Sequence, residues 1–198
     1  VARACHGHGA VRRGMPLRGV WRFSDGMLEG GEMTLDDLKK FCATEGDGRY
    51  FLCSPWTRDG FTWTTNGHIL VRCPAIDGIE DNPKAPNAQK VWDQSKFSGD
   101  WISVPETAMP EPDECPCCNG DKVHECPSCD NEHECGKCEG TGTIEDCSSA
   151  KVEKSWFQKR YLALIQGWEI CINPDASKAA LIRNGDAEGL LMPMRAPE

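Results

Sequence analysis

The segment from Cys115 to Cys138 constrains this chain more than any other. It reads C-P-C-C-N-G, then C-P-S-C, then C-G-K-C-E-G-T-G, so three C-x-x-C pairs fall within 24 residues. Each pair sets two thiolates on one tight turn, which is half of a tetrahedral zinc site. The segment has almost no apolar residues of its own, so bound metal has to supply the folding energy that a hydrophobic core cannot. Sites closed by four protein ligands leave no position for water or substrate and are structural rather than catalytic. Cys117 adjoins a ligand and reads as a bystander. A redox role for a C-x-x-C pair normally needs a thioredoxin-type unit, and the flanking sequence shows none.

Charge separates this segment from the rest. The chain carries −9 overall, and residues 111–147 alone hold eleven acids against two lysines, so the remainder is neutral. Such an acidic segment is a poor phosphate binder, because counterion release needs Lys and Arg. Residues 1–22 hold five arginines and no acid. Without apolar periodicity, residues 1–31 are expected to be a disordered basic leader, with Met27 or Met33 as a natural start. Thirteen cysteines is an odd number for an oxidised scaffold, and the chain is long for one, so a reducing cytoplasm is expected. No apolar run reaches the length of a membrane span.

Outside the cysteines the pattern is regular. Thr34 caps a helix with Leu35, Leu38, Phe41 and Cys42 on one face. Strands are predicted over Arg49–Ser54, Phe61–Thr65 and His68–Cys73, with turns at Asp59-Gly60 and at Asn66-Gly67, the latter a two-residue hairpin. Residues 74–99 read as a long loop and Trp101–Val104 as a short strand. A second helix is predicted over Val152–Gln166, from Phe157, Tyr161, Leu164 and Ile165 at helical spacing. Strands at Trp168–Ile172, Ala179–Ile182 and Glu188–Met194 follow. The expectation is an α+β domain, 32–110 and 148–198, with two helices packed on an antiparallel sheet and a small zinc-binding module, 111–147, inserted in it.

The unit C-x-x-C-x-G-x-G, with Gly140 and Gly142 after Cys138, resembles the cysteine-rich zinc domain of DnaJ-type co-chaperones. In that domain outer pairs share one zinc and inner pairs another. The resemblance implies one site from Cys115, Cys118, Cys135 and Cys138. Cys126 and Cys129 then need two more ligands, for which His124 and His133 bracket them and Cys147 is a further candidate. Two structural Zn2+ ions are implied.

Three further stretches are similar to the bacterial DNA polymerase III β sliding clamp. Thr65-Asn66-Gly67-His68-Ile69-Leu70 is similar to its T-D-G-H-R-L, Phe157-Gln158-Lys159-Arg160-Tyr161-Leu162 to its F-N-x-x-Y-L helix, and Leu190-Leu191-Met192-Pro193-Met194-Arg195 to its (V/I)-x-M-P-M-R end. The chain departs from the pattern at Asn66 and Ile69, extends past the Arg by Ala196-Pro197-Glu198, and holds one such domain where a clamp protomer has three. The resemblance implies a pocket for short hydrophobic peptides at Thr65, Gly67, His68, Leu70, Met192, Pro193, Met194 and Arg195. In the clamp the two motifs come from different domains, so here they are expected to meet only where chains associate. A buried final strand and a plain turn are the alternative. The resemblance also turns helices toward double-stranded DNA, through Lys39, Lys40, Lys154, Lys159 and Arg160, although a solvated face explains these equally.

These readings converge on a non-enzymatic accessory protein of DNA replication or repair, such as a small phage protein. It would bind replication proteins through hydrophobic peptides and self-associate, since a ring needs about six such domains by resemblance to the clamp. The alternative is a DnaJ-like zinc-dependent module that holds polypeptides. P-loop, G-x-G-x-x-G, H-E-x-x-H and G-x-S-x-G motifs are all missing from the sequence.

Overall fold

The computed structural model describes residues 32–44, 48–125, 131–144 and 146–196. In chain order the elements are α1 (Leu35–Lys39), a 3-10 turn (Tyr50–Leu52), β1 (Trp56–Arg58), β2 (Phe61–Thr65), β3 (Ile69–Pro74), α2 (Ala88–Ser95) and β4 (Trp101–Ser103). The cysteine segment supplies four short strands, β5 (Asp113–Glu114), β6 (Val123–Glu125), β7 (Glu132–Glu134) and β8 (Thr143–Ile144). Then come β9 (Ser149–Val152), β10 (Ser155–Gln158), α3 (Lys159–Leu164), β11 (Glu169–Cys171), β12 (Ala180–Asn184) and β13 (Ala187–Leu191). The protein is an α+β fold around a seven-stranded antiparallel sheet, ordered β1-β2-β3-β13-β12-β11-β4. The leader expected over residues 1–31 lies outside the described residues. No helix among the described residues is long and apolar enough to cross a membrane.

Two three-stranded meanders, β1–β3 and β11–β13, meet where β3 pairs with β13. The register there sets Leu70 against Leu190 and Ile69 against Leu191. Side chains alternate across a strand, so Ile69, Val71 and Cys73 enter one core while Leu70 enters the other. The first core is closed by Leu38 and Phe41 near α1, by Phe157 of β10, and by Tyr161, Leu162 and Ile165 at α3. Phe41 meets Trp168 edge-on, with centroids 5.8 Å apart. The second core gathers Trp56, Trp63, Leu181 and Leu190 under Ala88 and Trp92 of α2. Complete burial of a side chain such as Leu162 or Phe157 stabilises the fold by about 1.5–3 kcal/mol.

Four local expectations are corrected. The expected strand at Arg49–Ser54 is the 3-10 turn, and an additional strand, β1, follows it. The expected loop over residues 74–99 contains α2, capped by the Asn87 side chain on the Lys90 N–H at 3.0 Å. Only Ala88 and Trp92 of this helix are buried, one turn apart, too sparse a stripe to read as a periodic face. The helix expected over Val152–Gln166 is a β9–β10 hairpin followed by the short α3, because Glu153 turns left-handed at φ +53° and reverses the chain. The two-residue hairpin expected at Asn66-Gly67 is a four-residue loop, since Thr65 pairs with Leu70. There the Asn66 carboxamide oxygen accepts the N–H groups of both His68 and Ile69, at 3.0 and 3.2 Å, and builds the turn from a side chain.

Gly189 is the tightest point of the central pairing. A Cβ on it would collide with the Leu70 carbonyl of β3 and stand 3.0 Å from Ile182 Cγ1. Gly189→Ala is therefore expected to destabilise the protein by about 2–3 kcal/mol, as overpacking of a filled core does. Gly48→Ala, where a Cβ meets nothing within 4 Å, is the control expected to leave the denaturation midpoint in place. Urea unfolding of the two variants checks this.

Candidate metal centre and the junction of loop and terminus

The cysteine segment folds as two copies of one small unit. In the first, Glu114 precedes Cys115-Pro-Cys-Cys118-Asn-Gly120; in the second, Glu134 precedes Cys135-Gly-Lys-Cys138-Glu-Gly140. Asn119 and Glu139 are left-handed at φ +48° and +51°, and Gly120 and Gly140 follow at +82° and +73°. The Asp121 N–H donates to the Cys118 carbonyl at 2.9 Å, and the Thr141 N–H to the Cys138 carbonyl at 3.0 Å. The units exchange backbone bonds: Cys115 N–H to Gly142 O at 2.9 Å, and Cys135 N–H to Lys122 O at 2.8 Å. Strand β5 pairs with β8, and β6 with β7.

This arrangement brings Cys115, Cys118, Cys135 and Cys138 together, all four buried, with ligand atoms within 4.8 Å of one another. The Cys115–Cys135 and Cys118–Cys138 sulfurs lie 3.9 and 3.7 Å apart, and all four are free thiols. Tetrahedral zinc with Zn–S bonds of about 2.3 Å separates its sulfurs by about 3.8 Å. The four-cysteine group thus has the size and burial of a structural metal site. Its apolar support among the described residues is one half-buried side chain, Ile144.

Backbone amides favour the anionic form at two of the four sulfurs, Cys135 and Cys138. The Cys138 amide holds the Cys135 thiol down at about 5, against the burial that opposes it. Burial also opposes ionisation of Cys138, but the Gly142 N–H, 3.3 Å from its sulfur, contributes to a net lowering. Cys118 is pushed up to about 12, first by burial.

The rest of the expected second site is partly described. His124 and His133 face each other across β6 and β7, where directly opposed residues share one face. His124 Nε2 lies 3.5 Å from the Cys117 sulfur, and His133 is exposed. Cys126 and Cys129 lie outside the described residues. Cys147 is exposed and joins neither metal-ligand grouping among the described residues. Cys117 is closer to a site than the sequence suggested: with His124 and Cys135 it forms a second three-ligand grouping.

The residues expected to face partner peptides lie on the α+β domain, outside the cysteine segment. The expectation that the two motifs meet only between chains is corrected: one chain brings them together. The Met192 N–H donates to the His68 carbonyl at 2.9 Å, because β13 runs on alongside the loop that precedes β3. Met194 bridges to Trp156, its N–H reaching the Trp156 carbonyl at 2.7 Å. The His68 ring stacks on Tyr161 with centroids 5.7 Å apart. The Tyr161 hydroxyl accepts from Arg160 at 2.8 Å and from the Asn66 carboxamide at 3.4 Å. Gly67, His68, Met192 and Arg195 are exposed, and Pro193 and Met194 are half-buried. Leu70 and Thr65 are buried: Leu70 fills the second core, and the Thr65 hydroxyl donates to the Ile69 carbonyl at 2.6 Å. These two support the junction from below.

The expected DNA-facing cations are distributed over several elements. Lys39 and Lys40 pair with Asp36 and Asp37 at 3.0 and 2.7 Å, so α1 offers no surplus of positive charge. Lys154 is exposed at the β9–β10 turn, Lys159 opens α3, and the Arg160 guanidinium lies 4.7 Å from the Tyr161 ring centroid. No protein-family model matches the chain, and no curated protein matches it.

Corresponding positions of the two metal knuckles differ in one informative way. Lys122 sits left-handed at φ +70° where its counterpart Gly142 has φ +80°. A Cβ on Gly142 would stand 2.6 Å from the Gly120 carbonyl oxygen, so this position has no room for a side chain. Gly142→Ala is expected to weaken metal binding by about tenfold or more, while Lys122→Gly, which exchanges left-handed strain for chain entropy, stays within about 0.5 kcal/mol of wild type. Competition with a chromophoric chelator measures both.

Proposed function

We propose that the protein is a non-enzymatic accessory factor of DNA replication or repair. In this reading it binds short hydrophobic segments of partner proteins on the surface formed by His68, Met192, Pro193, Met194 and Arg195. The observation that carries this is the Met192–His68 backbone bond. It joins within one chain the two motifs whose resemblance to the sliding clamp implies a peptide pocket. The surface suits such a ligand: Met192 is exposed, and thioether side chains adapt to varied apolar partners. His68 and Arg195 stand beside it as polar contacts at the rim. Self-association, as in a ring, belongs to the same reading.

Zinc is the metal proposed for the four-cysteine group, since closed tetrathiolate geometry is what structural Zn2+ selects. A second ion in the same segment is part of the proposal. Its role is to hold an insertion that cannot fold on apolar contacts. DNA contact has less support than peptide binding, because α1 pairs its lysines with its own aspartates. The DnaJ-like alternative needs apolar surface on the cysteine segment to hold unfolded chains. Among the described residues the exposed large hydrophobics are Leu35, Tyr50, Val91, Met109 and Met192, and none lies within residues 111–147.

A fluorescently labelled peptide with two adjacent apolar side chains is expected to bind saturably to the full chain. Met192→Ser and His68→Ala, both at exposed positions, are each expected to weaken it about tenfold, equivalent to about 1.4 kcal/mol. Replacement of residues 111–147 by a short linker is expected to leave the affinity within about threefold, a difference below 1 kcal/mol. Binding that vanishes with that replacement and ignores Met192 would transfer the function to the cysteine segment.

A further inference from the structure

Beside the four-cysteine group lies an acidic cleft of ≈ 520 Å³, lined by Cys117, Asp121, His124, Glu125 and Glu132 among others. A soft thiol and a borderline imidazole line it together. Cys117 is exposed, and its sulfur lies 3.5 Å from His124 Nε2. The Cys135 sulfur completes a trio whose ligand atoms all fall within 4.8 Å of one another. Zinc with one S and one N ligand, at bonds of about 2.3 and 2.0 Å and a tetrahedral angle, spaces those atoms by about 3.5 Å.

We infer that Cys117, His124 and the shared thiolate of Cys135 form a second, open metal site in this cleft, for a thiophilic divalent cation such as Zn2+ or Cd2+. The inference rests on the four-cysteine site being metal-bound, since Cys135 then serves both ions. A thiolate sulfur has lone pairs enough to bridge two metals. Three protein ligands leave a fourth position to water or an external donor, which separates this site from its closed neighbour. Asp121, Glu125 and Glu132 surround the entrance and raise the local concentration of cations. Because the site is open and two of its ligands are not fully buried, its ion exchanges with solvent sooner than the ion held by four buried thiolates. His124 is thereby assigned to Cys117 and not to the bracketing pair with His133.

The test is the full chain loaded with 113Cd. Two resonances split by 113Cd–113Cd coupling through the Cys135 sulfur are expected. Cys117→Ala changes an exposed side chain and should fold. It is expected to lower bound metal by one equivalent, to remove one resonance and to collapse the splitting of the other. A mild chelator should strip the same ion first. The inference is overturned if Cys117→Ala keeps the full metal content, if no splitting is seen in the loaded wild type, or if the second ion is lost with Cys126→Ala/Cys129→Ala and kept with Cys117→Ala. Failure of the underlying reading gives a different signature: Cys138→Ala would then leave metal content unchanged and the wild type would show no tetrathiolate resonance.

Discussion

The antiparallel pairing of β3 with β13 holds this molecule together. It is a contact between residues more than a hundred positions apart, Leu70 with Leu190 and Ile69 with Leu191. Backbone hydrogen bonds fix the register, and the missing side chain at Gly189 lets the two strands approach past the Leu70 carbonyl. A slip of one residue would exchange Ile69 and Leu70 between the two faces and empty both cores. The two meanders become one sheet through this single junction.

Once the sheet is continuous, it has two apolar faces to cover, and the chain covers them by different means. The first face takes α1, α3 and the β9–β10 hairpin, with Leu38, Phe157, Tyr161 and Leu162 as the buried contacts. The second takes α2 and a group of tryptophans. On that face Arg72 of β3 is held between the Phe61 and Trp92 rings, each centroid 4.2 Å from its guanidinium carbon, and bonds Glu188 of β13 at 2.9 Å. The aromatic faces and one carboxylate let a cation sit where an aliphatic side chain would otherwise be needed. The same pairing carries the last residues past the His68 loop, so the surface proposed for partners follows from the central register.

The cysteine segment obeys different physics. It leaves after β4, at one edge of the sheet, forms its own two-stranded pairs and returns at β9. Its cohesion comes from the four clustered sulfurs and from the backbone bonds that the two knuckles exchange. This is why its cysteine pairs were legible in the sequence, while the resemblance to the DnaJ-type domain implied which two pairs close one site. Ligand chemistry demands particular atoms at fixed spacing, and C-x-x-C-x-G writes both into the chain. Cys117 escaped that reading because nothing in the local spacing sets it apart from its neighbours. Its proximity to His124 is made by the pairing of β6 with β7 and by the turn after Cys118.

The α+β class, the cysteine pairs, and β2, β3, β12 and β13 to within a few residues could be read from the residues alone, because apolar runs and the turn residues that bound them are local properties. Both faces of these strands are covered, so their burial is nearly continuous. The same local reading misjudged α2, β10 and the loop at Asn66 for the complementary reason. Ala88 and Trp92 are the only two buried positions of α2, too few to print a helical stripe, and Phe157 falls at helical spacing from Tyr161 while standing on a strand. The length of the Asn66 loop is set by the register of Thr65 with Leu70 and not by the turn residues themselves. Whether the His68 loop and the Met192–Met194 end would meet was beyond any local signal. The three-dimensional pairing settles it, since the contact depends on which strand pairs with β3, a choice made by packing two remote halves of the chain on one sheet.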